Sequence, residues 1–159
     1  MDIKIFREYR LKFYLNARHY IIVNNQQSDI HPHTWEFALT IMIRKKEFVE
    51  FNLFEKKVNE LLDRYQDKII NYVPPFDVVM PTLENMVDTL AKKFYVSIKE
   101  VGGELVRIEG SEGPSRSYIL DLREENDGID SIDALDELED KSDVILSDII
   151  DTILDDIIE

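Results

Sequence analysis

The chain has 159 residues, 44% hydrophobic and 33% charged, with a formal net charge of −14, which fits one globular domain with an extension and allows a sizeable core. It contains no cysteine, so disulfides, a cysteine nucleophile and thiolate metal sites are all excluded. No apolar run reaches bilayer-spanning length, and the opening stretch MDIKIFREYR has no signal-peptide architecture, so a cytoplasmic setting is expected.

Residues 3–23 are rich in Phe, Tyr, Ile and Val, with Tyr9, Leu11, Phe13 and Leu15 at period two. This predicts a long strand with one buried face. Residues 33–43 repeat the pattern through Trp35, Phe37, Leu39, Ile41 and Ile43, and the alternate positions Ala38, Thr40 and Met42 are largely apolar as well. NNQQSD between the two reads as a polar turn, so an antiparallel hairpin is the simplest connection. EFVEF at 47–51 reads as a short extended piece. A helix is expected from Asn52, a plausible N-cap, through Phe54, Val58, Leu61, Leu62 and Tyr65 at helical spacing. A loop punctuated by Pro74, Pro75 and Pro81 leads to a second helix, with Thr82 as N-cap and Gly102 and Gly103 as its stop. ELVRIEG and SRSYILDL, at 104–110 and 115–122, read as two more strands. The order strand, strand, helix, helix, strand, strand predicts an α+β fold, an antiparallel sheet with helices on one face.

Charge is distributed unevenly. Residues 124–159 hold 15 acidic side chains and one base, Lys141, whereas residues 1–123 balance at 18 of each sign. Such a tail repels phosphates and the body has no basic block, so no nucleic-acid partner is expected. Within the tail, Ile145/Leu146, Ile149/Ile150, Ile153/Leu154 and Ile157/Ile158 recur every four residues, backed by Asp148, Asp151, Asp155 and Asp156. This predicts an amphipathic helix over about 143–158. Its polar face is acidic, which disfavours a membrane role and favours oligomerisation or docking of a protein partner.

The chain has only three histidines, His19, His31 and His33. Residues i and i+2 of a strand share a face, so His31 and His33 point to one side, and a hairpin brings His19 alongside. Three imidazoles on one sheet face suit a tetrahedral zinc with an open fourth position.

These residues resemble the 6-pyruvoyl-tetrahydropterin synthase and 6-carboxytetrahydropterin synthase family. LNARH followed by HPH is similar to its F-x-A-x-H strand and H-G-H pair; VEF at 49–51, IIN at 69–71, PTLEN at 81–85 and VRIEGSEGPSRSY at 106–118 follow in the family's order. The resemblance covers about residues 3–121. It implies the tunnelling fold for residues 1–122, with 123–159 as an acidic extension, and a homo-oligomer, commonly two stacked trimers, with sites between subunits. It further implies zinc at His19, His31 and His33. The ligand would be a reduced pterin such as 7,8-dihydroneopterin triphosphate, its ring anchored by Glu109 with Thr82 nearby. In the family, a cysteine assisted by an Asp-His pair moves protons and triphosphate is eliminated. Here Gln27 stands at the cysteine position, Gln66 and Asp67 at the Asp-His pair, and Pro32 at the H-G-H glycine. Asp29 and Asp67 are the nearest candidates for a substitute base. Two readings follow: a diverged zinc-dependent carbon-oxygen lyase, or a non-catalytic pterin sensor or scaffold working through its oligomer and acidic helix.

Overall fold

The computed structural model describes residues 7–43 and 49–123. Six strands and two helices alternate as β1 (Glu8–His19), β2 (Ile22–Val23), β3 (Gln26–Gln27), β4 (His31–Met42), α1 (Phe51–Leu62), α2 (Leu83–Glu100), β5 (Glu104–Gly113) and β6 (Arg116–Asp121), with a 3-10 turn at Ile70–Tyr72. The main sheet is antiparallel in the order β1-β4-β5-β6, and β2 and β3 form a separate two-stranded ribbon. The four expected long strands, the two helices and their order are all present. The helix expected over 143–158 lies outside the described residues.

Period-two patterning holds from Phe13 onward, whereas Tyr9 is exposed and Leu11 only half-buried. Phe13, Leu15 and Ala17 of β1 alternate with exposed neighbours, and they pair with Phe37, Trp35 and His33 of β4. Directly opposite residues share a sheet face, so this set makes the floor of the core. Trp35, Phe37 and Leu39 are fully buried there. The buried positions of α2, among them Met86, Val87, Leu90 and Phe94, cover that floor, with Phe94 against Phe37 at 5.4 Å between ring centroids. β5 can approach α2 closely because Gly110 has no side chain: a Cβ there would run into Val87 Cγ2.

Several boundaries differ from the sequence reading, each for a local reason. β1 stops at His19, and Ile22–Val23 turn back through Asn24 and Asn25, both at positive φ (51° and 61°), a conformation asparagine tolerates. α1 opens at Phe51 with Glu50 as its cap residue and no side-chain cap bond, so Asn52 lies inside the first turn. The helix ends at Leu62 instead of continuing through Tyr65. The chain beyond it lies along the edge of β1: Asp67 N–H donates to Asn16 O at 2.7 Å and Arg18 N–H to Lys68 O at 2.9 Å. α2 keeps its expected ends, with Thr82 Oγ1 accepting from Asn85 N–H at 3.2 Å and Gly102 at φ 90°. No helix among the described residues is long and apolar enough to cross a membrane.

Candidate metal centre and pterin pocket

The site forms where β1 ends and β4 begins. Register places His19 opposite His31 and Ala17 opposite His33, so all three imidazoles rise from the helix-covered face. β4 starts ahead of its first pair with β5, Glu36 to Ser111. Pro32, which lacks an N–H, therefore faces only β1 at Arg18 and costs the sheet little. The three rings pack edge-on, 4.6, 5.1 and 4.8 Å apart between centroids. One nitrogen from each lies within 4.8 Å of the others.

Hydrogen bonding fixes which nitrogens are available. His19 Nδ1 donates to Pro81 O at 2.8 Å, and His31 Nδ1 donates to Asp29 O at 2.8 Å. Their Nε2 atoms then face each other at 2.9 Å, both as bare lone pairs in the neutral tautomers. Two lone pairs at that distance repel unless a cation lies between them. His19 is 2% exposed, and burial lowers its pKa below 6.5, opposed by its bond to Pro81 and the charge of Glu112; a proton on His19 is therefore disfavoured at neutral pH. Two nitrogens on one tetrahedral zinc would sit about 3.3 Å apart, given Zn–N bonds of ~2.0–2.1 Å. Ligating histidines characteristically donate their other N–H to a carbonyl, as His19 and His31 do. The donor set thus fits a divalent metal of zinc type.

The histidines open into a recess of about 520 Å³ whose walls also include Thr82, Glu84, Glu112, Arg116 and Tyr118. The α2 N-terminus and the β5–β6 hairpin supply these walls. Glu112 is tied to the centre: Trp35 Nε1–H, from the core floor, donates to its Oε1 at 3.2 Å. Tyr118 donates to Asp88 Oδ1 at 2.8 Å, and desolvation followed by that bond pushes its pKa up to about 12.

The structure separates the residues singled out from sequence. His19, His31, His33 and Thr82 share the recess. Glu109 does not: Gly110 faces α2, so Glu109 points to the opposite, helix-free face. There it pairs with Arg10 at 3.2 Å and Arg107 at 3.6 Å. Within one chain, the carboxylate on the histidine side of β5 is Glu112, three residues on. Asp29 contributes its carbonyl to His31, and its residue is exposed. Asp67, at φ 59°, lines a different recess of about 430 Å³ with Arg18, His33 and Thr34. Gln27 sits on the exposed ribbon strand β3. Gln66 is engaged by the backbone of β1: its Oε1 accepts from Asn16 N–H at 2.9 Å and its Nε2 donates to Tyr14 O at 2.8 Å.

Comparison with known proteins agrees with this architecture. The family model described as 6-pyruvoyl tetrahydropterin synthase matches residues 8–123. No curated protein matches the chain at a significant level. Among solved structures, the fold is similar to 6-pyruvoyl tetrahydropterin synthase from Caenorhabditis elegans, with a TM-score of 0.56 and 13% identity over 76% of this chain and 99% of that one. It is also similar to the Plasmodium falciparum 6-pyruvoyl tetrahydropterin synthase, with a TM-score of 0.53 and 13% identity over 72% of this chain and 96% of that one. With the three histidines, the strand order and the match across 8–123 together, the chain belongs to the 6-pyruvoyl tetrahydropterin synthase family.

Proposed function

We propose that this protein holds zinc at His19, His31 and His33 and binds a reduced pterin, such as 7,8-dihydroneopterin triphosphate, in the adjoining recess. The observation that carries this reading is the pair of Nε2 lone pairs at 2.9 Å whose Nδ1 partners are both tied to carbonyls. Zinc, when bound, would polarise the hydroxyls of a ligand's side chain and make them more acidic. Glu112, oriented by Trp35, is the group suited to accept paired N–H donors from a pterin ring edge. Thr82 and Glu84 at the start of α2 close the wall beside it.

The second reading, binding without turnover, is favoured by Gln27 and Gln66. Glutamine is no general base, and both polar atoms of Gln66 already bond to β1. Asp29 and Asp67 do not line the recess shared by all three histidines, although Asp67 shares the smaller one with His33. Assembly of several copies into a ring fits the open edges: β6 pairs only with β5 among the described residues and exposes Ile119 at 42%. Exposed strand edges invite pairing with another chain.

The deciding experiment mixes zinc-loaded protein with 7,8-dihydroneopterin triphosphate and follows pterin binding, triphosphate release and product together. Binding with triphosphate release establishes a lyase that works without the usual cysteine. Binding with unchanged substrate establishes the sensor reading. Absence of binding by folded, zinc-loaded protein overturns the pterin proposal.

A further inference from the structure

A second recess, of about 420 Å³, runs between α1 and α2. Four cationic side chains, Lys57, Arg64, Lys92 and Lys93, line it together with the carboxylates Glu60 and Glu100. Apolar side chains are exposed in it and just beyond its end. Leu53, one turn before Lys57 on the same stripe of α1, is 43% exposed, and Val96 of α2 is 44% exposed. A mainly cationic channel with an apolar seam is suited to an acidic amphipathic segment.

The chain supplies such a segment and leaves the body at the right end. Leu122 N–H donates to Val106 O at 2.8 Å, close to where β5 begins after the C-terminus of α2. The ion pair between Lys57 and Glu100, at 2.9 Å, marks that same end of the groove. Beyond Arg123 the sequence continues to Glu159 with 15 acids against one base, and 143–158 repeats Ile/Leu pairs every four residues. As a helix, 143–158 would be about 24 Å long, against roughly 18 Å for the twelve residues of α1. The residues between 123 and 143 can span up to about 65 Å, more than enough to bring it back.

We propose that segment 143–158 docks along the α1–α2 groove of its own chain. Its acidic residues face Lys57, Arg64, Lys92 and Lys93, and its Ile/Leu stripe covers Leu53 and Val96. Tethering favours the chain's own segment over that of a second copy, because a linker of this kind gives an effective concentration near the millimolar range. The groove lies on the helical layer, away from the open face of the sheet. This proposal is independent of zinc or pterin binding.

The test uses the full chain and a zero-length carbodiimide, which joins lysine amines to carboxylates in direct contact. Products are separated on a denaturing gel and mapped by mass spectrometry. The Lys57–Glu100 link serves in the wild type as the internal sign of a folded body. The expected result is linkage of Lys92 or Lys93 to carboxylates between Asp143 and Glu159 in the monomer band, falling at least about fivefold in 1 M salt, where the screening length shrinks to ~3 Å. An Arg64→Glu variant should lower the same links while keeping the wild-type melting profile. Tail links confined to dimer and larger bands would assign the groove to a second copy and overturn the proposal. So would a tail that stays unlinked while Lys57–Glu100 links form, or tail links unchanged by both salt and Arg64→Glu.

Discussion

Zinc should raise the melting temperature of the folded protein, and His31→Ala should remove most of that gain. In the apo site, the neutral Nε2 atoms of His19 and His31 oppose each other at 2.9 Å while their Nδ1 donors are held by carbonyls; metal relieves that opposition and binds only when β1 and β4 are in register. At free zinc one hundred times its Kd, mass action stabilises the folded state by about 2.7 kcal/mol. For a chain of this size, that corresponds to roughly 5–11 °C. His31 is half-buried, unlike His19, so its loss should spare the fold; the missing bond to Asp29 O costs about 1 kcal/mol. The assay is a thermal scan with chelator and with zinc, read through Trp35, whose ring lies 4.9 Å from His19 and 5.2 Å from His33. Equal melting temperatures in zinc and chelator would refute the reasoning, as would a zinc shift of wild-type size in His31→Ala.

Glu112→Gln should weaken pterin binding roughly tenfold to a hundredfold, the worth of a charge-assisted hydrogen bond, whereas Glu109→Gln should leave it within about twofold and cost about 1–3 kcal/mol of stability, since its half-buried carboxylate bonds two arginines; fluorescence titration of both variants checks the assignment, and equal losses would defeat it. Gly110→Ala should destabilise by about 1–3 kcal/mol through overpacking against Val87, measured by urea unfolding; an unchanged midpoint would show that β5 and α2 can part without penalty. Tyr118 has a folded-state pKa of about 12, above its ordinary value of 10. Its contribution should therefore be full below pH 10 and decline as pH rises toward 12. The stability gap between wild type and Tyr118→Phe should be flat from pH 7 to 9.5 and narrow above 10; a gap that widens there would contradict the assigned environment.

The sheet was legible because its signal is local. Alternation in β1 and β4 survives any uncertainty about turns, and once both strands are placed in a hairpin the three histidines converge. α2 was equally clear, with Thr82 before it and Gly102 after it. What stayed hidden depended on partners distant in sequence. β2 and β3 have two residues each, too few for periodicity. α1 stops at Leu62 because the chain after it bonds to β1, and no residue type in 63–69 announces that pairing. Which carboxylate of β5 shares the histidine recess was hidden for a related reason. Glu109 and Glu112 are three apart and must face opposite sides of a strand. Which one faces the histidines follows from Gly110 lying under Val87 and from the register irregularity between Gly110 and Gly113. The alternation Ile108, Gly110, Glu112 carried that signal, but the apolar run Leu105–Val106 left its phase ambiguous.

Gln66 bears on whether an acidic side chain could be accommodated beside β1. One amide serves β1 twice, as acceptor for Asn16 N–H and as donor to Tyr14 O, standing in for a missing neighbouring strand. A carboxylate at this position has no N–H to offer and would face the Tyr14 carbonyl with negative charge. An acid there would therefore loosen the strand that carries His19, and a second change would be needed to hold β1 in place. Gln66 thus works as a brace: its amide is part of the scaffold that holds β1, and an acid in its place would make a less stable protein.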